Sequence, residues 1–212
     1  MKKTILFDLD GTLTDSGEGI MNCAAYALEH FGLPVPDRVT MRCFVGPPLR
    51  DTFMKFGVSA EQAEEAIRVY RSRYLPIGRF ENTPYPGVYE MLERLKADGH
   101  RLYVATSKPE ATSIEIMKHF QLDGYFDRIC GATFDGTREE KSQVIAYLLS
   151  MTEHTENAIM VGDTAFDVIG AKEHGIPTIG VSWGYGKVSD MEAAGAKAIA
   201  TSMDELYKLL SE

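Results

Sequence analysis

Asp8 and Asp10 stand two residues apart in FDLDGT, directly after the short apolar run Thr4–Phe7. Side chains alternate along an extended strand, so the two carboxylates share one side and Leu9 takes the other. Two carboxylates this close repel, and the pair needs a cation or a shared proton. Carboxylate oxygens suit Mg2+. The plain alternative is a pair of turn or capping aspartates ahead of Gly11. A second acidic pair, Asp163 and Asp167 in GDTAFD, follows the apolar run NAIMV. The i,i+4 spacing would put both on one helical face, although helix capping alone would also account for them. Thr106 and Ser107 close the run RLYVAT just ahead of Pro109. A hydroxyl and backbone N–H groups there could hold phosphate oxygens, or could simply cap the next helix. Lys141 in REEKSQ reads by itself as a solvated surface charge.

These residues need elements that bring them to one place. The runs TILF, RLYVAT, NAIMVG and IPTIGVS, with KAIAT as a weaker one, have the length and apolar character of buried parallel strands. Helical patterns lie between them over 85–98, 109–120, 142–151, 166–174 and 204–210. Alternation of this kind predicts an α/β fold, a Rossmann-like parallel sheet with helices on both faces. Ligands then bind outside the carboxyl ends of the strands, where these acids and hydroxyls fall. From Asp15 to about Phe80 no strand is legible, and helices are expected at 19–31, 49–56 and 60–75. This predicts an all-α cap over 15–82, inserted after the first strand, with the catalytic core formed by 1–14 and 83–212. The return through 78–87, with glycine, asparagine and two prolines, suits a hinge.

Composition narrows the function. The 212 residues carry a net charge of −9, 44% hydrophobic and 25% charged residues. A nucleic-acid polymer or an anionic membrane surface calls for clustered Lys and Arg, which this balance opposes. A small anionic substrate needs only a local positive pocket. Residues 15–80 hold eight acidic and eight basic side chains, so the whole charge excess lies in the core. Cys23, Cys43 and Cys130 form no CxxC and read as reduced core thiols. The run after Met1-Lys2-Lys3 is too short for an export leader, and no stretch is long enough to cross a membrane. A cytoplasmic location is expected. The five histidines are scattered, and GYGK at 184–187 is not a nucleotide-binding loop. Trp183 reads as core packing, with the mouth of a pocket as the alternative. Arg68, Arg71 and Arg73 read as a solvated helix face.

FDLDGTLTDS at 7–16, VATSKP at 104–109, Lys141 in EEKSQVI and VGDTAFDVIGAKEHGI at 161–176 together resemble the haloacid dehalogenase-like hydrolase superfamily. VGPPLRDTF at 45–53 and GVSWGYG at 180–186 are similar to its phosphoglycolate phosphatase-like branch, whose helical cap sits at the same point of the chain. The resemblance implies a Mg2+-dependent phosphatase acting on a small phosphorylated metabolite through an aspartyl-phosphate. By position, Asp8 would be the nucleophile and Asp10 the general acid and then base. Asp8, the Asp10 backbone carbonyl and Asp163 would hold Mg2+, with Asp167 nearby. Thr106, Ser107 and Lys141 would grip the phosphoryl group. Arg50, after Gly46-Pro47-Pro48-Leu49, would recognise a carboxylate or second charged group, or is a surface helix residue. Asp10 argues against a dehalogenase or phosphonatase, which lack an acid there. Phosphoglycolate is the favoured substrate and a nucleoside monophosphate, as for a 5'-nucleotidase, the next. A β-phosphoglucomutase-like phosphotransferase and, from a different class, a phospho-receiver signalling domain are the alternatives. Oligomeric state, monomer or dimer, is open.

Overall fold

The computed structural model describes residues 2–153, 155 and 157–212; His154, one of the scattered histidines, lies outside them. The chain falls into two compact units, one of residues up to Thr14 with Pro84–Glu212, the other Asp15–Thr83.

The first unit is built on six parallel strands in the order β5-β4-β1-β6-β7-β8. These are β1 Thr4–Phe7, β4 Arg101–Pro109, β5 Arg128–Ala132, β6 Ala158–Gly162, β7 Thr178–Val181 and β8 Ala198–Ala200. The short strands β2 Thr14–Asp15 and β3 Thr83–Pro84 form a separate pair where the chain passes between units. β1 lies at the centre, and the strand order turns outward on either side of it, the arrangement that opens a crevice at the carboxyl ends. Register is level there: Phe7 pairs with both Val104 and Val161.

Alternation along β1 decides which helices meet which side chains. Ile5 and Phe7 join one core with Met91, Leu92 and Leu95 of α5 (Val88–Ala97), Ile116 and Met117 of α6 (Glu110–His119), and Leu206 and Leu210 of α10 (Met203–Ser211). Leu6 joins the other with Val144, Ile145 and Leu148 of α7 (Lys141–Leu149) and Ala171 of α8 (Ala165–Lys172). With period two, Asp8 continues the Leu6 face, the side from which α7 and α8 approach.

Several element readings are corrected. β5, RICGA, was not expected as a strand, and neither was helix α9 (Val188–Ala194). β4 does not stop at Thr106; its pairing with β5 shifts register between Thr106 and Pro109 and resumes at Pro109↔Ala132. α5 begins at Val88 rather than Tyr85, because Pro86 and Gly87, at φ +83°, hold the chain outside the helix.

The second unit contains α1 Gly17–His30, α2 Arg38–Met41, α3 Leu49–Lys55 and α4 Ala63–Tyr74, with 3-10 turns at Arg42–Phe44 and Gly78–Phe80. Phe44, Phe53, Phe56, Tyr70 and Tyr74 make its aromatic core, with ring centroids 5.1–6.3 Å apart. Gly78, read as part of a hinge, has a packing role: a Cβ there would lie 2.4 Å from Cys23 Sγ, and one on Gly19 would lie 1.9 Å from the Gly78 carbonyl oxygen. Arg73 is not a solvated charge, since it holds Glu81 through two hydrogen bonds of 2.7 and 2.9 Å. Cys43 is exposed, unlike buried Cys23 and Cys130, and none of the three is in a disulfide among the described residues.

Candidate active site

Four chain segments deliver carboxylates and lysines to the carboxyl end of β1. Asp8 follows β1 directly and is buried. Lys141, the first residue of α7, has a side chain only 5% exposed, which overturns its reading as a surface charge. Its Nζ lies 2.8 Å from Asp8 Oδ1 and 2.7 Å from Asp167 Oδ1, and donates to the Ala105 carbonyl oxygen at 2.9 Å. Burial works against the Lys141 charge, but Asp167 and Asp8 outweigh it and hold the ammonium above its ordinary pKa.

Asp163 and Asp167 do not share a helix face. α8 begins at Ala165, so Asp163 lies in the turn before it. Asp167 forms a capping box with Thr164, accepting from its N–H at 3.1 Å and its hydroxyl at 2.8 Å. The capping reading of Asp167 is therefore correct, and Lys141 holds its other oxygen. The turn still brings Asp8, Asp163 and Asp167 together, with one oxygen of each within 4.8 Å of the others. Burial, then the charges of Asp167 and Asp8, pushes the Asp163 carboxyl up to about 8. Burial likewise raises Asp167, against the opposing pull of Lys141.

Asp10 is paired with a lysine that the motifs did not single out. Lys108 Nζ lies 2.5 Å from Asp10 Oδ2, and the lysine side chain is 6% exposed. Asp10 Oδ1 is buried with no hydrogen-bond partner among the described residues. Lys108 sits within the register shift of β4, where the irregular backbone re-aims side chains at the strand end. Its signal was present in TSKP, as the nearest cation to the expected phosphate-binding hydroxyl. Thr106 does not cap α6; its hydroxyl accepts from the Lys108 N–H at 3.3 Å. Ser107 is exposed.

The motif-bearing loop is fastened from behind. Trp183 Nε1 donates to the Thr12 carbonyl oxygen at 3.2 Å while its half-buried ring packs on the core, as expected, and also lines a pocket with Tyr85, Met91 and Met203. In the second unit, Arg50 stands in the first turn of α3, holding Glu64 Oε1 at 2.5 Å and the Ala60 carbonyl oxygen at 3.2 Å. Gly46 precedes that helix at φ +103°.

The donor set fits a small divalent cation. Among the described residues, the cations paired with Asp8, Asp10 and Asp167 are Lys108 and Lys141, and the excess of negative charge around Asp163, all on oxygen, is what a hard cation offsets. One consequence is measurable. Between about pH 4 and 8, Asp163 is protonated in the folded protein and ionised in the unfolded chain, so the unfolded chain binds fewer protons. Metal-free protein should therefore lose stability as pH rises across that window and level off above it. Thermal melts in EDTA at pH 5 and pH 8 check this against Asp163→Asn. A wild-type slope no more negative than that of the variant would contradict it.

The haloacid dehalogenase-like hydrolase family model matches residues 5–181. The chain is 43% identical to a 5'-nucleotidase of Pseudomonas aeruginosa over 89% of this chain and 86% of that protein. It is 41% identical to the tyrosine-protein kinase PtkA of Mycobacterium tuberculosis over 97% and 72%, respectively. It is 36% identical to a phosphoglycolate phosphatase of Aquifex aeolicus over 88% of each. A crystal structure described as a predicted phosphatase from Clostridium acetobutylicum superposes with a TM-score of 0.94 at 43% identity, over 100% of this chain and 99% of that one. The chain belongs to the haloacid dehalogenase-like hydrolases. Within that family it is a phosphatase, and the phospho-receiver alternative falls.

Proposed function

We propose that the chain hydrolyses small phosphate monoesters by transferring the phosphoryl group to Asp8 and then to water. The observation that carries this reading is the convergence of Asp8, Asp163, Asp167 and Lys141 at the end of the central strand. Asp8 Oδ forms the bond to phosphorus while the ester oxygen leaves with a proton from Asp10. Asp10 then takes a proton from water, whose oxygen attacks phosphorus, and inorganic phosphate departs with Asp8 restored. Lys141 holds Asp8 in place and neutralises the phosphoryl oxygens, and Thr106 with the Ser107 amide binds them. Mg2+, held by Asp8, the Asp10 carbonyl and Asp163 with Asp167 adjacent, would offset the charge of the phosphoryl group. Lys108 must leave Asp10 before that carboxyl can hand over a proton, and the substrate's anionic oxygens are its natural new partner.

Two substrate classes follow from the relatives. Identity favours a nucleoside monophosphate over phosphoglycolate, reversing the order taken from the sequence motifs. Arg50 and Gly46 are proposed to recognise the non-reacting end, for which Arg50 must exchange Glu64 for the substrate. No helix among the described residues is long and apolar enough to cross a membrane, and we infer a small soluble metabolite met in the cytoplasm. Whether the chain is a monomer or a dimer does not enter the chemistry. The kinase relative favours a second reading, in which a tyrosine hydroxyl replaces water as acceptor.

The test is phosphate release from nucleoside monophosphates, phosphoglycolate, hexose phosphates and an aryl phosphate, with Mg2+ or EDTA, for wild type and Arg50→Ala. Release only with Mg2+, and an altered ester ranking in Arg50→Ala, are expected. No release from any ester, alongside ATP-dependent labelling of a tyrosine peptide, would replace hydrolysis with the second reading. Interconversion of hexose phosphates without release would point to a mutase.

A further inference from the structure

We propose that the loop Trp183-Gly184-Tyr185-Gly186 is a positioning element that leaves Asp163 one carboxylate oxygen for a cation and thereby selects Mg2+ over Ca2+. This rests on the divalent-cation reading of the site. The Tyr185 N–H donates to Asp163 Oδ2 at 2.7 Å. Space around that oxygen is closed on two sides. A Cβ on Gly184 would lie 2.3 Å from both Asp163 Cβ and Oδ2 and 2.5 Å from the Gly11 carbonyl oxygen. A Cβ on Gly11 would lie 2.2 Å from the same Oδ2. Gly186 presses equally close, since its Cβ would lie 2.1 Å from the Asp163 carbonyl oxygen. The indole of Trp183 ties the start of the loop to Thr12 at 3.2 Å, beside Gly11. Thus the loop that follows β7 and the loop that follows β1 grip Asp163 between them.

Oδ2 is consequently engaged and most tightly enclosed, while Oδ1 takes the Thr12 hydroxyl at 3.5 Å and lies farther from Gly11, whose Cβ would stand 3.0 Å from it and 2.2 Å from Oδ2. A carboxylate fixed this way can coordinate through one oxygen only. Mg2+ takes single oxygens in a small octahedral shell, whereas the larger Ca2+ gains from carboxylates that turn both oxygens toward it. The glycines at 184 and 186 are required by space, because only hydrogen fits between the loop and Asp163. Partners that orient a metal ligand are worth about 10- to 100-fold in affinity.

Dissociation constants for Mg2+ and Ca2+ can be measured by displacement of Mn2+, followed by electron paramagnetic resonance, for wild type and Gly184→Ala, with circular dichroism to confirm folding. Gly184→Ala should weaken Mg2+ by about 10- to 100-fold and Ca2+ by clearly less, so that the preference for Mg2+ shrinks. A folded variant with unchanged Mg2+ binding, or with both ions weakened by one factor, would overturn the proposal. If the variant does not fold, amide exchange in the wild type decides. A Tyr185 N–H slowed at least about 100-fold relative to unstructured chain supports the clamp, and one that exchanges freely overturns it. A wild-type protein that binds neither Mn2+ nor Mg2+ would overturn the metal reading as well, which separates the two failures.

Discussion

Asp8→Asn should lower phosphate release by at least about 10^4-fold on every ester of the panel, because no other group can form the covalent bond. The variant should remain folded. Asn keeps the shape of Asp, and Lys141 retains Asp167 at 2.7 Å as its counter-ion. The metal-free melting temperature should hold or rise, since the Asp8 charge is one of those pressing on Asp163 and Asp167. Loss of activity with retained melting separates a missing nucleophile from a collapsed site. Asp10→Asn should behave differently. Its cost should reach about 10^2- to 10^4-fold on alkyl phosphates, whose leaving oxygen needs a proton, and shrink on an aryl phosphate. Equal losses on both ester types would remove Asp10 from the role of general acid. An Asp8→Asn protein with residual activity near wild type would end the covalent mechanism.

Lys141→Met should be the most damaging single change to the fold of the core unit. The lysine is buried, bridges Asp8 and Asp167, and donates to the Ala105 carbonyl oxygen. Methionine fills the space but leaves Asp8, Asp163 and Asp167 without a cation among them. Removing one partner from a buried ion pair costs about 3–5 kcal/mol, because the remaining charge is stranded. For a chain of this length that corresponds to a melting temperature lower by on the order of 10 °C. Saturating Mg2+ should restore part of the loss, and Lys141→Met combined with Asp167→Asn should restore part of it without metal. Differential scanning calorimetry of the single and double variants checks this. A single variant melting within about 2 °C of wild type would show that the carboxylates are relieved by water instead.

What could be read in the sequence was local. Asp8 and Asp10 flank one residue at a strand end, and period two together with the apolar run before them carries the inference. The parallel sheet was legible from five of its six strands for the same reason, β8 in KAIAT the weakest of them. β5 escaped because it lies at the sheet edge, begins with an exposed arginine and contains glycine, so neither its length nor its pattern stands out. Residues defined by distant partners were misread. Lys141 has the local setting of a surface charge, and only the packing of α7 against α8, with Gly170 pressed to its side chain, buries it. Lys108 was passed over because its direction depends on a register shift that no spacing rule announces. Asp163 and Asp167 were placed on one helix because i,i+4 spacing is silent about where a helix starts.

The position of β1 bears on how the protein is made. Of the three central strands this one leaves the ribosome first, and its two neighbours begin at Arg101 and Ala158, Thr4 pairing with both. Its apolar residues stay unpaired until β4 has been made, while Asp15–Thr83 emerges before that as a compact unit of its own. Parallel pairing over such separations is slow, and a waiting strand is exposed to wrong partners. The loop that holds Asp163 emerges later still. Nascent chains that end before Asp163 would therefore carry the DxD pair without the carboxylates that complete the metal pocket, and the enzyme should switch on late.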